Sequence, residues 1–200
     1  MTRKGEDFFV KSAYECVTKI DSCNKSIIFE QLWMSRAFPN VQITAWRVLL
    51  DRLPTRLNLS RRGVGVNTSF CALCQKWYES AQHLFLECEV ALQVWNWCFR
   101  WIGIMFVQHK IPRDHFESFC LVQVNYKQNL VWKGVWAAIV SSIWDQRNRS
   151  IFKQDRVDTE EIFHMAQLKT WLWLRYRMKS FSYSFSYWLL NPILCIKSCY

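Results

Sequence analysis

The stretch "CALCQKWYESAQHLFLEC", residues 71–88, brings three cysteines and one histidine together and sets the framework for everything around it. Cys71 and Cys74 are two residues apart, a spacing at which both thiolates of a tight turn can bind one ion. His83 and Cys88 are separated by just over one helical turn, so they converge if Cys88 stands at or beyond the helix end. Thiolate and imidazole ligands in a closed set of four favour tetrahedral Zn(II). The spacing predicts one structural zinc ion.

Two other interpretations of these four residues stay open at this point. Cysteine is among the most buried residue types, so the group could simply pack in a core. A redox CxxC is a weaker alternative because no βαβ pattern surrounds it. The remaining cysteines lack ligand spacing and are interpreted as packed or idle thiols: Cys16, Cys23, Cys98, Cys120, Cys195 and Cys199. Of the other histidines, His109 and His115 are expected at the surface and His164 on a helix.

Helical periodicity dominates the chain on both sides of this stretch. Apolar residues recur at three and four positions, and capping residues and glycines mark the ends. Helices are predicted over 8–23, 39–53, 56–62, 90–102 and 127–152, with another opened by Asp158 in a capping box with Glu161. Ser80 is predicted to cap a helix that carries His83. In "SFSYSFSYWLLNPILCI", 180–196, strand or extended structure competes with helix.

The predicted architecture is mainly α. A helical domain over 8–103 contains a small Cys3His zinc knuckle, 104–125 form a weakly patterned linker, and 126–200 form a C-terminal helical segment whose two long helices pair as an antiparallel hairpin.

Charge and composition narrow the classes of partner. About half of the 200 residues are apolar, which suffices for a core, and the formal net charge is +10. That charge suits an anionic partner, with nucleic acid first and a membrane surface second. The N-terminus has no signal-peptide pattern and the longest apolar stretches are too short to span a bilayer, so we expect an intracellular, soluble protein. An odd number of cysteines, nine, argues against a disulfide framework.

Arginines cluster just before the cysteine turn, and we call these four the arginine patch: Arg52, Arg56, Arg61 and Arg62. Beside a zinc knuckle they could hold RNA or DNA phosphates while exposed Trp77 or Tyr78 stacks on bases. A solvated helix face is an equally weighted interpretation. A second basic group is interpreted as charge complementing a helix C-terminus: Arg147, Arg149, Lys153 and Arg156. The tryptophans of the long helices are expected in the core.

Several motifs together resemble one family. The run "AWRVLLDRLPTRLNLSRRGV", then "CALC", "ES" with "HLFLEC", and "VW" look like the zinc-binding domain at the C-terminal end of reverse transcriptases in plant LINE-type (non-LTR) retrotransposons. "FFVKSAY", "IWDQRNRSIF" and "TWLWL" extend the resemblance over nearly the whole chain. It implies that Cys71, Cys74, His83 and Cys88 are the zinc ligands. Ala72 stands where the family usually has proline and Gln75 where it often has glycine, which leaves the turn less preset.

Catalytic motifs are missing from the sequence. There is no adjacent aspartate pair of the polymerase type, no P-loop, no G-x-S-x-G and no H-E-x-x-H. We therefore expect no enzyme activity and no small-molecule substrate. The hypothesis is a zinc-stabilised accessory domain, here without the polymerase domain, with RNA or DNA and a reverse transcriptase polymerase domain as expected partners. The alternative is a protein-interaction module or an inert retrotransposon remnant. The resemblance also suggests the nucleus.

Overall fold

The computed structural model describes residues 24–199, with side chains from residue 27. The helix predicted over 8–23, with Cys16 and Cys23, lies outside these residues. Within them the fold is helical, and the only β-type pairing is an isolated bridge between Phe70 and Tyr78. The elements are α1 Asn24–Met34, α2 Pro39–Leu49, α3 Arg56–Arg61, a π-helical turn His83–Glu87, α4 Glu89–Ile102, α5 Pro112–Ser118, α6 Tyr126–Phe152, α7 Thr159–Arg177, α8 Phe185–Leu190 and α9 Pro192–Lys197. The mainly α prediction is confirmed.

Helix ends follow the capping residues in the sequence. The Thr55 hydroxyl accepts from the Asn58 amide at the start of α3, and the Asp158 carboxylate accepts from two amides at the start of α7. Gly103 ends α4 with a left-handed φ of 73°, a conformation that glycine adopts without steric cost. The second helix is shorter than predicted, ending at Leu49, because Asp51 takes a left-handed φ of 50°.

The two long helices form the predicted antiparallel hairpin. Arg149 Nη1 lies 2.8 Å from Glu161 Oε1 near the connecting turn, and Asp145 Oδ2 lies 2.7 Å from Lys169 Nζ one turn further away. Residues earlier in α6 thus meet residues later in α7, which defines the antiparallel direction. Glu161 pairs with the neighbouring helix, whereas the sequence predicted that it would reach back to its own helix start.

Tryptophans fill the core between these helices and the rest of the chain, as predicted for the long-helix stripe. Trp132, Trp136 and Trp173 are fully buried, while Trp144 packs at the core margin. The approach of α6 to α7 depends on Gly134, since a Cβ placed there would lie 2.5 Å from the Trp173 ring. One continuous core results, and it includes residues of α1 and of α9.

The segment predicted as a linker, 104–125, contains a helix. Its Phe116 and Phe119 are fully buried in the common core. The buried ammonium of Lys133 in α6 donates to the carbonyls of Phe116 and of Glu117, the latter at 2.9 Å, and so anchors the end of α5 to the long helix. Residues 104 and 125 as domain boundaries stay predictions.

One histidine prediction is wrong. His115 was expected at the surface, but the structure buries it completely, with its Nδ1 accepting a hydrogen bond of 2.8 Å from Trp136 Nε1. Neighbouring Pro112 and the polar residues around it concealed the helical register that turns His115 inward.

The C-terminal stretch is helical from Phe185 onward, whereas residues 181–184 form neither helix nor strand. Ser184 caps α8 through its hydroxyl, and Pro192 occupies the first turn of α9. The alternation of polar and aromatic residues had left strand open, but Trp188 is buried against the α7 backbone through a 3.1 Å bond to the Gln167 carbonyl. No helix in residues 24–199 is long and apolar enough to cross a membrane.

Candidate metal centre

Cys71 and Cys74 lie on a tight turn that is closed by backbone hydrogen bonds. The Cys71 amide donates to the Trp77 carbonyl at 2.6 Å, and the Gln75 amide donates to the Cys71 carbonyl at 2.9 Å. Gln75 has a left-handed φ of 59°, the conformation for which glycine is best suited. Its side-chain amide donates to the Ala72 carbonyl at 3.0 Å and so supports the turn from outside. The geometry explains why glycine would suit position 75.

The second two ligand candidates lie at either end of a π-helical turn. The Ser80 hydroxyl accepts from the His83 amide at 3.0 Å, as predicted for a cap. The Cys88 amide then donates to the His83 carbonyl at 2.7 Å, a bond between residues five apart that defines the wider π turn. Cys88 itself has extended backbone and precedes α4. A π turn stacks residues five positions apart, which brings His83 and Cys88 to the same side.

The four side chains converge. Their ligand atoms, three Sγ and one imidazole nitrogen, all lie within 4.8 Å of one another. The Sγ atoms of Cys71 and Cys88 are 3.9 Å apart, and Cys74 Sγ lies 3.3 Å from His83 Nε2. A tetrahedral zinc ion with ordinary bond lengths requires separations of about 3.8 Å between two sulfurs and about 3.6 Å between sulfur and nitrogen. The donor set and its spacing therefore fit zinc.

Electrostatics show how strongly the four groups interact. A hydrogen bond with Cys88, opposed by burial, lowers the pKa of Cys71 to about 4, and the same contact raises the pKa of Cys88. Burial lowers the pKa of His83, but hydrogen bonds with Cys71 and Cys74 outweigh it and raise that pKa to about 8. The Cys71 and Cys88 thiols thus compete for a proton beside the His83 imidazole, and a bound divalent cation would favour the thiolate form of its cysteine ligands.

A buried carboxylate ties the knuckle to the rest of the fold. Glu79 Oε1 accepts from Arg147 Nη2 at 2.6 Å, from Arg147 Nε at 3.1 Å and from the Arg56 amide at 3.0 Å. Glu79 Oε2 accepts from the Ala72 amide at 3.1 Å, inside the cysteine turn. Both charged side chains are almost fully buried. One residue therefore connects the cysteine turn, the start of α3 and the long helix α6.

Neither member of this ion pair was identified from the sequence. Arg147 was assigned to a basic group at the helix C-terminus, but it lies in the interior, 4.7 Å over the Trp144 ring. Glu79 follows four polar or aromatic residues that are exposed in the structure, Gln75 to Tyr78, so its burial was not expected. One sequence signal did exist: Glu79 lies between the Cys71/Cys74 pair and the His83/Cys88 pair. A carboxylate that is buried between two such pairs needs a charged or hydrogen-bonding partner, because burying an unpaired charge is costly.

The four residues of the arginine patch differ in their contacts. Arg56 Nη1 donates to the Phe70 carbonyl at 2.7 Å and Arg61 Nη1 lies 3.6 Å from Asp51 Oδ2, so both have structural contacts. Arg52 and Arg62 are exposed, joined by a 3.4 Å bond from Arg62 Nη2 to the Arg52 carbonyl. Trp77 is 68% exposed, beside Tyr78 at 67%. Tyr78 instead stacks on Phe70, with ring centroids 5.5 Å apart.

Family comparison agrees with this geometry. Residues 8–95 match the family model described as zinc-binding in reverse transcriptase. The matched stretch contains all four ligand candidates and the arginine patch, and it covers somewhat less than half of the 200-residue chain. Neither the curated proteins nor the solved structures yielded a match.

Proposed function

We propose that the chain is a non-catalytic accessory domain of a reverse transcriptase, stabilised by one structural zinc ion, and that it binds RNA or DNA. The observation that carries the proposal is the convergence of Cys71, Cys74, His83 and Cys88 within a stretch that matches a reverse transcriptase zinc-binding family. The sequence resemblance extends the proposal to the plant LINE-type elements and to a nuclear location.

Zinc would act here by stabilising the fold. Four protein ligands complete a tetrahedral set, which leaves no position for a reactive water. Because the ligands come from two separate turns, the ion would cross-link them, and its binding free energy would contribute to folding.

Metal content and stability test this role directly. We expect one zinc per purified chain by elemental analysis, and a lower midpoint of thermal unfolding after addition of a chelator. Cys74→Ser should abolish both the bound zinc and the chelator effect. Cys120→Ser is the matched control, because Cys120 is exposed and outside the ligand set. Zinc-free protein with an unchanged melting temperature would refute the structural zinc.

Support for nucleic acid comes from charge and exposure. The net charge of +10, the exposed members of the arginine patch and the exposed Trp77 suit a phosphate backbone with accessible bases. Arg52 and Arg62 would contact phosphates, and Trp77 would stack on a base. Affinity should fall steeply with salt, since each phosphate contact releases counterions. Folded, zinc-loaded protein that binds neither RNA nor DNA at low ionic strength would refute nucleic-acid binding.

A second candidate is a protein-interaction module, with the polymerase domain of a reverse transcriptase as partner. It is favoured by the apolar side chains exposed in 104–125: Met105 and Val122 are fully exposed and Val107 is 81% exposed. A folded protein that lacks nucleic-acid affinity but binds the purified polymerase domain would support it. Substitution of Met105 and Val122 by serine should then weaken that complex.

A further inference from the structure

A cleft of about 660 Å³ lies beside the knuckle. Its walls are the C-terminal end of α2 with the three residues after it, α3 through Leu57 and Arg61, the turn before the π-helix and the start of α5. This volume falls within the range of roughly 300–1,000 Å³ typical of ligand pockets. The cleft is therefore large enough for one nucleotide unit of a polymer.

The charge around the cleft is positive. Arg52, Arg61 and Arg113 line it together with one acid, Asp51. Asp51 pairs with Arg61, whereas the side chains of Arg52 and Arg113 make no ion pair within residues 27–199. Two guanidinium groups from separate elements are thus available to a ligand. Guanidinium groups suit phosphate because their planar donors can make paired hydrogen bonds to its oxygens.

The remaining lining residues are mostly apolar, with Ser80 and Gln82 as the two polar exceptions. Leu49 and Leu57 form part of the lining, and Ile111, 54% exposed, stands on the α5 side. Such a surface favours the faces of a sugar or an unpaired base over water. A base within a duplex has its faces stacked, so it could not use this wall. The combination suits a single strand better than a double helix.

We propose that this cleft binds a single-stranded RNA or DNA segment, with Arg52 and Arg113 on a backbone phosphate and the adjoining nucleoside against Leu57 and Ile111. The proposal rests on the proposed nucleic-acid function and names a site for it. Arg113 lies outside the family-matched stretch. The proposed binding surface therefore combines Arg52 of the arginine patch with Arg113 from the segment after α4.

The test is fluorescence anisotropy of a labelled single-stranded oligonucleotide with the zinc-loaded full chain, at several salt concentrations. Arg113→Ala should weaken binding about tenfold, the loss of a charged hydrogen bond. It should also reduce the salt slope by about 0.7, the value for one phosphate contact on a single strand. Ile111→Ala should weaken binding without changing that slope. The wild type should bind a duplex of equal length less tightly.

Arg156→Ala is the matched control. Arg156 is exposed on the α6–α7 connection and does not line the cleft, and its backbone carbonyl, which alanine keeps, accepts a hydrogen bond from Gln146 Nε2. It should leave affinity and slope close to the wild type. Arg52→Ala, on the segment that follows α2, should repeat the Arg113→Ala result. Thermal unfolding of each variant verifies its fold.

The outcomes distinguish failure of the proposed nucleic-acid binding from failure of the cleft as its site. Wild-type protein that binds no nucleic acid overturns both this site and the proposed function. Wild-type protein that binds, with Arg113→Ala and Arg52→Ala both indistinguishable from Arg156→Ala, overturns the cleft alone. Equal or tighter binding of the duplex overturns the single-strand preference and the role of the apolar wall.

Discussion

Removal of the Glu79 carboxylate should destabilise the protein severely. Glu79→Ala leaves the guanidinium of Arg147, only 5% exposed, without its counter-ion, and it leaves the amides of Arg56 and Ala72 without their acceptor. Breaking a buried pair by deleting one partner costs about 3–5 kcal/mol, since the other charge stays buried. A native protein has a total stability of only about 5–15 kcal/mol. The Glu79→Ala protein should therefore have only a small remaining free energy of unfolding.

A double variant separates the cost of the unpaired Arg147 charge from the cost of lost packing around Glu79. Arg147→Met removes the charge while keeping an apolar side chain of similar length, so Glu79→Ala/Arg147→Met should be more stable than Glu79→Ala alone by about 1–3 kcal/mol. The two amides stay unpaired in both variants and do not affect this difference.

Urea unfolding of zinc-loaded protein, followed by circular dichroism at fixed free zinc, measures both quantities. Zinc affinity should fall in Glu79→Ala as well, because the Ala72 amide lies inside the cysteine turn. A cost below about 1 kcal/mol for Glu79→Ala, or a double variant less stable than the single one, would refute the reasoning.

Three further predictions concern stability. Gly134→Ala should cost about 1–3 kcal/mol in urea unfolding, because its Cβ would lie 2.5 Å from the buried Trp173 ring; a stabilised variant would contradict the close packing. Burial, with lesser contributions from nearby positive charge, lowers the pKa of His115 to about 3 from 6.5. Stability from this residue is thus present above pH 6.5 and is lost as pH falls towards 3, and His115→Gln should unfold in acid with a shallower pH dependence. Lys133→Met should destabilise the protein by about 1–3 kcal/mol, since the carbonyls at the end of α5 lose their donor; unchanged urea unfolding would show that water replaces it.

The controls for these variants follow from their surroundings. Gly65→Ala tests the general effect of a new methyl group, because a Cβ there meets nothing within 4 Å. For His115→Gln, parallel acid curves for the variant and the wild type would show that the imidazole does not titrate as inferred.

Local signals predicted the helices well because each depended on neighbours in sequence. Thr55, Asp158 and Gly103 mark helix ends through their own hydrogen bonds or backbone conformation, and the long helix over 127–152 has enough turns for its apolar faces to be unmistakable. Residues 71–88 likewise predicted convergence of four side chains, since both pairs are local. The way in which His83 and Cys88 come to the same side depends on the π turn, and no spacing rule predicted that turn.

Long-range contacts were beyond such reasoning. Glu79 and Arg147 are far apart in sequence, and each is by itself an ordinary charged residue, so nothing local showed that they would be buried together. His115 was assigned to the surface for the same reason: its partner Trp136 belongs to another helix. α1 was also missed, because its apolar residues do not form a distinct stripe. Tertiary packing, which local propensity does not encode, decided all of these positions.

The anchoring of α5 by Lys133 bears on how fast a ligand could enter the cleft. The wall that carries Arg113 and Ile111 begins a helix whose other end is fixed to α6, with Phe116 buried beneath it. Such a wall is formed before a ligand arrives, so association needs no rearrangement. In stopped-flow mixing, the observed rate should rise linearly with oligonucleotide concentration, without the plateau that a slow opening step would impose.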